Sequence, residues 1–387
     1  MNVLMVVYSF YESDNRVRRY AETLARQGNN VDIVSLRQKG QSANNTLNGV
    51  AIHRIQERIV NESSKFDYFF RIVSFFIRSF LFATIKYFRK RYQIVHIHSV
   101  PDFEVFAAII PKIMGAKIIL DIHDIVPEFY ASKFETGPNS LIFRILVFIE
   151  RISCCISDHV IISNHIWYER IIKRSVKKEK CSVILNYPDP YIFKRNREKC
   201  KSNNFTIIYP GTIAWHQGLD IAVKAMALLK ENESNIKLNI FGKGPDESSL
   251  RKMVNELKVA DCVCIHGMLP MEEIVEKIID ADLGLVPKRN DSFGGEAFST
   301  KILEFMLMEV PVLISETKID RYYFNDDVAT FFRCDDEQHL AEKISFLRAN
   351  KAVLKRQTES AKEYIAENNW DVKKKEYEDL ISGLLRN

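Results

Sequence analysis

The sequence predicts an α/β fold of two doubly wound parallel sheets, and three observations carry that expectation. Short β-branched runs alternate with helical patterns from end to end. Several runs, such as Ile118-Ile119-Leu120 and Ile161-Ile162, are apolar on both faces, as strands covered by helices on both sides must be. The 387 residues also exceed what one core takes, at roughly 100–200 residues per domain.

In chain order, strands are expected over 3–8, 31–36, 51–55, 93–98, 117–122, 159–163 and 182–185. A second series follows over 205–209, 237–241, 262–265, 283–286, 311–314 and 329–332. The opening Met-Asn-Val-Leu-Met-Val-Val-Tyr has no basic leader region and no small-residue cleavage site, so it reads as the first strand rather than a signal peptide. The alternation stops between about 186 and 204. There Asn186-Tyr187-Pro188-Asp189-Pro190 precedes the charged run KRNREKCKSNN, which reads as an interdomain linker. The expected division is a Rossmann-like domain over 1–190, a second over 204–369, and a final helix over 370–387 packed back on the first.

Composition narrows the function classes. Hydrophobic residues make up 47% and charged residues 27%, which excludes a disordered, collagen-like or polytopic membrane chain. A net charge of +5 is too small to point to nucleic acid, and none is expected as a partner. The seven Cys are odd in number and lack zinc-ribbon spacing, which fits a reduced, cytoplasmic chain.

One segment stands apart. Residues 66–88 hold eight of the 25 Phe, but Asp67, Arg71, Arg78 and Lys86 interrupt them. Central charges cost roughly 2.5–3.5 kcal/mol each on insertion scales, which argues against spanning a bilayer. With Arg89, Lys90 and Arg91 following, the segment 66–91 is expected to lie in a membrane interface, the alternative being a helix buried between domains or in a dimer.

The strongest chemical signal is GGEAFSTKILEFMLMEVP over 294–311. Glu296 and Glu304 have seven residues between them, and a helix is expected from about Thr300. The amides of 298–301 would then face outward at a helix N-terminus, a site suited to a diphosphate. Glu304 lies one turn in, within reach of ribose hydroxyls, and Lys301 adds a positive charge.

This pattern resembles the retaining family 4 glycosyltransferases of the GT-B fold, in which two Rossmann-like domains face a central cleft. Other segments agree in order. Asp14-Asn15-Arg16-Val17-Arg18 follows strand one, and HIHSVPDFEVFAA (96–108) and ILDIHDIVPEFYASKF (119–134) resemble bacterial exopolysaccharide transferases. Gly211-Thr212-Ile213, His216-Gln217-Gly218-Leu219-Asp220, the GKGP run at 242–245 and Trp370-Asp371 also match.

The resemblance implies roles. Glu296 contacts the donor sugar and steadies charge on its ring, Glu304 holds the ribose, and the amides of Phe298, Ser299 and Thr300 hold the diphosphate. His123 faces the sugar. Gly211, Thr212, Gln217, Gly242, Lys243 and Met268 fall on the donor side, and Asp14, Arg16, Asp102 and Glu128 on the acceptor side. The expected donor is a nucleotide-diphosphate sugar and the acceptor a lipid-linked saccharide at the cytoplasmic face of the membrane. Transfer would proceed with retention, a diphosphate oxygen taking the acceptor proton. The sequence departs from the family at one point. Many members carry an Arg just after the first Gly of the second domain and a Lys before the next, where this chain has Thr212 and Gln217. A leaving diphosphate needs positive partners, so Lys301 and Arg289, with Lys288 behind them, are expected to substitute.

No cofactor or metal is expected. Asp280-Ala281-Asp282 has D-x-D spacing but falls at a helix end, where it caps. His96 and His98 share a strand face near Asp121, His123 and Asp124, with no further ligand at fixed spacing. Two other readings fit the same residues: a non-catalytic sugar-nucleotide-binding subunit of a polysaccharide assembly complex, and a GT-B-fold sugar-nucleotide epimerase.

Overall fold

The computed structural model describes residues 1–58, 65–134, 137, 139–231, 233 and 235–386. Side chains at 65, 66, 68 and 133 lie outside that description, among them Phe66, the first residue of the Phe-rich segment. The chain divides into two compact units, Met1–Asn186 with Lys374–Asn387, and Tyr187–Lys373.

The first unit runs β1 (Asn2–Val7), α1 (Asn15–Arg26), β2 (Asn30–Arg37), β3 (Asn44–Leu47), β4 (Val50–Glu57), α2 (Lys65–Lys90), β5 (Ile94–Ser99), α3 (Ile109–Ile113), β6 (Lys117–Ile122), α4 (Val126–Phe134), α5 (Leu141–Ile156), β7 (His159–Ile162), α6 (His165–Arg174) and β8 (Cys181–Val183). Its sheet has the order β3-β4-β2-β1-β5-β6-β7-β8. All pairs are parallel except β3 with β4. Val3 to Val6, Ile33, Ile97 and Ile118 to Leu120 are fully buried, so both faces of the central strands are covered. β3 is an addition to the expected strands. Asn48 and Gly49 both take positive φ, the two-residue turn that folds a hairpin.

The second unit runs β9 (Phe205–Pro210), α7 (Leu219–Lys230), β10 (Ile236–Phe241), α8 (Glu247–Glu256), β11 (Val263–Gly267), α9 (Met271–Ile279), β12 (Leu283–Val286), α10 (Thr300–Leu307), β13 (Val312–Ser315), α11 (Lys318–Tyr323), β14 (Thr330–Phe332), α12 (Glu337–Ala349) and α13 (Lys351–Glu367). Its sheet is wholly parallel, in the order β11-β10-β9-β12-β13-β14. Ile207, Leu238, Ile240, Leu283 and Leu313 pack with Ile221 and Met226 of α7 in its core. A final helix, α14 (Trp370–Arg386), starts in this unit and from Lys374 belongs to the first.

The charged stretch after residue 186 groups with the second unit rather than standing outside both units. Ion pairs fix it there: Arg197 Nε meets Glu276 at 2.6 Å and its Nη1 meets Asp280 at 2.7 Å, while Arg195 donates to the Met308 carbonyl at 3.1 Å. Asp280 is thus tied to Arg197, and Asp282 accepts the Thr206 amide at 2.8 Å.

α2 covers the Phe-rich segment and has two apolar faces. Ile72, Phe75, Ala83 and Tyr87, at spacings of three, eight and four, are buried. Phe70, Ile77, Leu81, Ile85 and Phe88 form a second stripe, each at least half exposed. Among the described residues no helix is long and apolar enough to cross a membrane.

In each sheet the strand order reverses once near the middle, between β1 and β5 and between β9 and β12. Loops leaving the C-terminal ends of such strands diverge and open a crevice, where open α/β sheets bind ligands.

Candidate functional site

In the second unit the crevice is framed by the loops after β9, β10 and β12, which meet backbone to backbone. Ile213 donates to the Lys243 carbonyl at 3.0 Å, and Arg289 to the His216 carbonyl at 3.0 Å. A Cβ at Gly242 would run into the Gly211 carbonyl oxygen, and one at Gly218 into that of Pro287. Gly218 has φ +65 and opens α7, a conformation that also favours glycine.

The β12 loop is held from beneath. Lys288 is buried and donates to the Ala297 carbonyl at 2.8 Å while pairing with buried Asp320 at 3.0 Å. That pair fixes the segment leading into α10, which begins at Thr300 with Ser299 as its cap residue and no side-chain cap bond. The Ile302 amide donates to the Ser299 carbonyl at 3.3 Å, and the amides of Thr300 and Lys301 before it are the ones available to an anion. The Phe298 ring packs edge-on against Tyr323, 4.9 Å between centroids, turning its side chain away from that terminus.

Lys301 lies across the same opening. Its stem occupies the space where a Gly211 Cβ would sit. Its ammonium stands 5.1 Å over the Tyr209 ring and 3.4 Å from Gln217 Oε1. The Tyr209 hydroxyl donates within reach of Gln217 Oε1 and the Thr212 carbonyl, both at 2.9 Å. Burial pulls the Lys301 ammonium down to about 8, against the opposing pull of Glu304. Its charge thus sits beside Gln217, one of the two positions where the sequence departs from the pattern it resembles.

Glu304 accepts from Thr300 Oγ1 at 3.4 Å, one turn into α10. Glu296 is nearly buried, and its Oε1 pairs with Lys318 Nζ at 2.9 Å. Lys318 belongs to α11, and nothing in the local sequence pattern pointed to it. Lys243, Thr212 and Met268 are exposed on neighbouring loops.

Arg289 is placed differently from its expected role. Its guanidinium pairs with Asp220 at 2.6 Å and with Asp335, and it lies 4.7 Å over the Trp215 ring. Two carboxylates already balance its charge. Lys288 is likewise engaged beneath the loop, so of the three expected cations Lys301 is the one beside Gly211 and Gln217.

In the first unit Arg16 and His123 meet on one carboxylate, Asp121, while Asp14, Asp102 and Glu128 are engaged with other partners. Asp14 caps α1, accepting the Val17 amide at 3.2 Å and the Ser9 hydroxyl at 2.7 Å. Arg16 is buried, with Nε and Nη2 on the two oxygens of Asp121 at 2.8 and 2.6 Å. Asp102 is buried and accepts from Ser99; burial, with a contribution from Glu150, raises its carboxyl to about 7. Glu128 meets Arg174 at 2.9 Å, and Arg174 also binds Glu150. Arg16, Asp102 and Glu128 are therefore packed into the interior or into ion-pair clusters, where an acceptor does not reach them. An Arg in the first turn of a helix looks like a surface residue in sequence, because its partner lies 105 residues away.

His123 is partly exposed, at the end of β6, with Nε2 3.0 Å from Asp121. Behind it, His98 and His96 stack with ring centroids 4.1 Å apart, and Tyr377 of α14 meets His96 Nδ1 at 3.0 Å. His96, His98 and Asp121 offer donor atoms within 4.8 Å of one another, but both oxygens of that carboxylate already face Arg16.

Two family models match. "Glycosyltransferase Family 4" covers residues 14–190, and "Glycosyl transferases group 1" covers 192–364, together nearly the whole chain. A protein of Escherichia coli K12 named as a colanic acid biosynthesis glycosyltransferase, WcaL, is 28% identical over 38% of this chain and 37% of its own. The amylovoran biosynthesis glycosyltransferase AmsK of Erwinia amylovora is 25% identical over 40% of this chain and 38% of its own. The chain thus spans under two-fifths of the length of these curated relatives. Among solved structures, sucrose-phosphate synthase of Thermosynechococcus elongatus matches with a TM-score of 0.82 at 15% identity, covering 100% of this chain and 99% of that one. Anabaena HepE in complex with UDP-glucose matches with 0.74 at 13%, covering 99% and 100%. At these identities the likeness is one of fold.

Proposed function

The chain belongs to the family 4 glycosyltransferases of the GT-B fold, and from that premise we propose that it moves a sugar from a nucleotide-diphosphate sugar to a saccharide acceptor in the synthesis of an exopolysaccharide. The observation that carries this reading is the placement of Lys301 across Gly211, beside the uncapped start of α10 and at the point where the sheet order reverses. A diphosphate there meets a helix N-terminus and an ammonium in a partly desolvated setting, where such groups act strongly on developing charge.

The roles follow from position. The α10 amides and Lys301 take the diphosphate and its growing negative charge as the glycosidic bond breaks, which makes a metal unnecessary for that task. Glu304 holds the ribose. Glu296, oriented by Lys318, meets the sugar and steadies positive charge on its ring. A diphosphate oxygen accepts the proton of the attacking hydroxyl, so transfer retains configuration without a protein nucleophile. His123 is assigned to the sugar by the family resemblance alone.

The acceptor is a lipid-linked saccharide, and the protein works at the cytoplasmic membrane surface. The support is the exposed stripe Phe70, Ile77, Leu81, Ile85 and Phe88 on α2, followed by Arg89, Lys90 and Arg91. An apolar stripe beside basic residues suits an anionic interface.

The test is a thermal-shift panel of UDP, GDP, ADP and dTDP and their sugars, with Glu304→Ala as control. A ligand bound only to the folded chain raises its stability by mass action. One nucleotide is expected to shift the wild type and not the variant. No shift with any of the four would overturn the reading. Binding without transfer would favour the non-catalytic subunit, and conversion of the nucleotide sugar with no acceptor present would favour the epimerase.

A further inference from the structure

We propose that Asp121, held by Arg16, is the positioning residue for His123: it fixes the imidazole with Nε2–H inward and presents Nδ1 to substrate. The inference rests on the reading of His123 as the group that addresses the donor sugar, and it reassigns Arg16 from acceptor contact to internal support.

The Asp121 carboxylate is fully buried at the end of β6. It accepts from Arg16 Nε at 2.8 Å and Nη2 at 2.6 Å and meets two imidazole nitrogens, His123 Nε2 at 3.0 Å and His98 Nδ1 at 3.2 Å, which stand 3.4 Å from each other. Burial alone would raise its proton affinity, but Arg16 and His123 hold it well below the usual carboxylate range. An ionised carboxylate only accepts hydrogen bonds, so the proton on the His123 ring faces inward on Nε2. Nδ1 is then the nitrogen left for a sugar hydroxyl.

The ring is also held from behind. His98 meets it edge-on, 5.5 Å between centroids, and His98 in turn stacks on His96. The Ser163 hydroxyl donates to the His123 carbonyl at 2.8 Å, fixing the backbone. Arg16 is anchored a second time, through Nη2 to the Ile184 carbonyl at 3.0 Å.

Stability alone does not account for this arrangement. A buried ion pair is commonly no more stabilising than an apolar pair of the same volume. What an apolar pair does not supply is an oriented acceptor for a neighbouring imidazole. Orientation matters at a reacting centre, where a displacement of about 1 Å can cost about 100-fold in rate.

The test replaces both partners, Arg16→Met with Asp121→Leu, so that no charge is left buried and unpaired. The full chain is labelled with ¹⁵N at histidine, and the His123 resonances are assigned through His123→Gln. In the wild type at pH 7 the neutral ring is expected to show the Nε2–H tautomer alone. In the double variant it is expected to show a mixture of both tautomers, with melting temperature retained. An unchanged single tautomer would overturn the proposal. If the double variant does not fold, Asp121→Asn alone gives the decision. The carboxamide keeps the shape and its NH2 can donate to Nε2, so a population of the Nδ1–H tautomer is expected. An unchanged single tautomer there would also overturn it.

Turnover separates this proposal from the reading beneath it. With the UDP, GDP, ADP and dTDP sugars as probes, the double variant is expected to lose about 100-fold in kcat with a smaller change in KM. Wild-type turnover in His123→Gln would remove the role of His123 in transfer and leave the tautomer result standing. Loss in His123→Gln with full activity in the double variant would remove Asp121 alone.

Discussion

The protonation of Lys301 gives the sharpest test of the donor site. Burial lowers its ammonium from the ordinary lysine value to about 8 in the free protein. A bound diphosphate places negative charge beside it and draws that value back up. Binding is therefore coupled to a proton on Lys301. Affinity is fully present below about pH 8 and falls as pH rises above it. A group titrating near 8 is about nine-tenths protonated at pH 7 and about one-tenth at pH 9. If the complex stays protonated, the dissociation constant rises about tenfold across that interval, or about 1.4 kcal/mol. The nucleotide contributes little to this slope, since terminal phosphates titrate near 6 and are already charged. The assay is calorimetric titration with UDP, or with whichever of GDP, ADP and dTDP binds, at half-unit steps from pH 7 to 9. Lys301→Met keeps most of the stem over Gly211 and removes the charge. It is expected to bind about tenfold more weakly at pH 7, with a flat profile. A flat profile in the wild type, or the same slope in the variant, would refute the coupling and the placement of the phosphates behind it.

Other outcomes follow from the same geometry. Glu296→Ala is expected to lower kcat by about 100-fold with modest loss of donor affinity, and Glu304→Ala to weaken donor binding mainly; steady-state kinetics and calorimetry check the division, and equal losses of affinity with turnover intact would end it. Replacing Phe70, Ile77 and Leu81 with Ser is expected to release the protein from anionic liposomes in flotation without lowering its melting temperature, whereas Phe75→Ser strikes the core and is expected to destabilise by about 3–5 kcal/mol. Gly242→Ala, which sets a Cβ against the Gly211 carbonyl, is expected to lower both melting temperature and nucleotide affinity. Glu104 is a buried acid raised to about 8 by burial, with Ser79 opposing. Its native state holds a proton that the unfolded state releases above about 4.5, so this group's contribution to stability is lost as pH rises toward 8. Glu104→Gln stays neutral and is expected to melt higher than the wild type at pH 8, with little difference near pH 5.

The strand series was legible because fully buried parallel strands are written as apolar runs, and a run such as Ile118 to Leu120 has little else to be. The start of α10 at Thr300 was legible from the break between a polar glycine-containing loop and an apolar periodic stretch. The β3–β4 hairpin was signalled too, by Asn48-Gly49, but its first strand is polar and exposed and carries no hydrophobic pattern. The two faces of α2 were not separable by eye, since both are apolar. Phe75 and Phe76 look alike in sequence, yet only Phe75 is fully buried, packing edge-on against Tyr8 at 5.1 Å between centroids.

The site residues divide by how far their partners lie along the chain. Glu296, Lys301 and Glu304 sit on one loop and one helix turn, so spacing alone brought them together. Arg16 and Asp121, Lys288 and Asp320, and Glu296 and Lys318 are joined by the fold rather than by local spacing. For such pairs a charged residue near a loop reads as available, and only its distant partner shows that its charge is engaged. Arg289 makes the point on the donor side. Sequence placed it as a phosphate cation equal to Lys301, yet Asp220 and Asp335 lie against its guanidinium, while Lys301 faces an aromatic ring and an amide oxygen. A cation with two carboxylates gains less from an arriving diphosphate than one whose protonated form is held down by burial. The depressed proton affinity of Lys301 and its fitness as the diphosphate partner thus have one cause, the burial that strips water from its ammonium and outweighs the pull of Glu304 and Asp320.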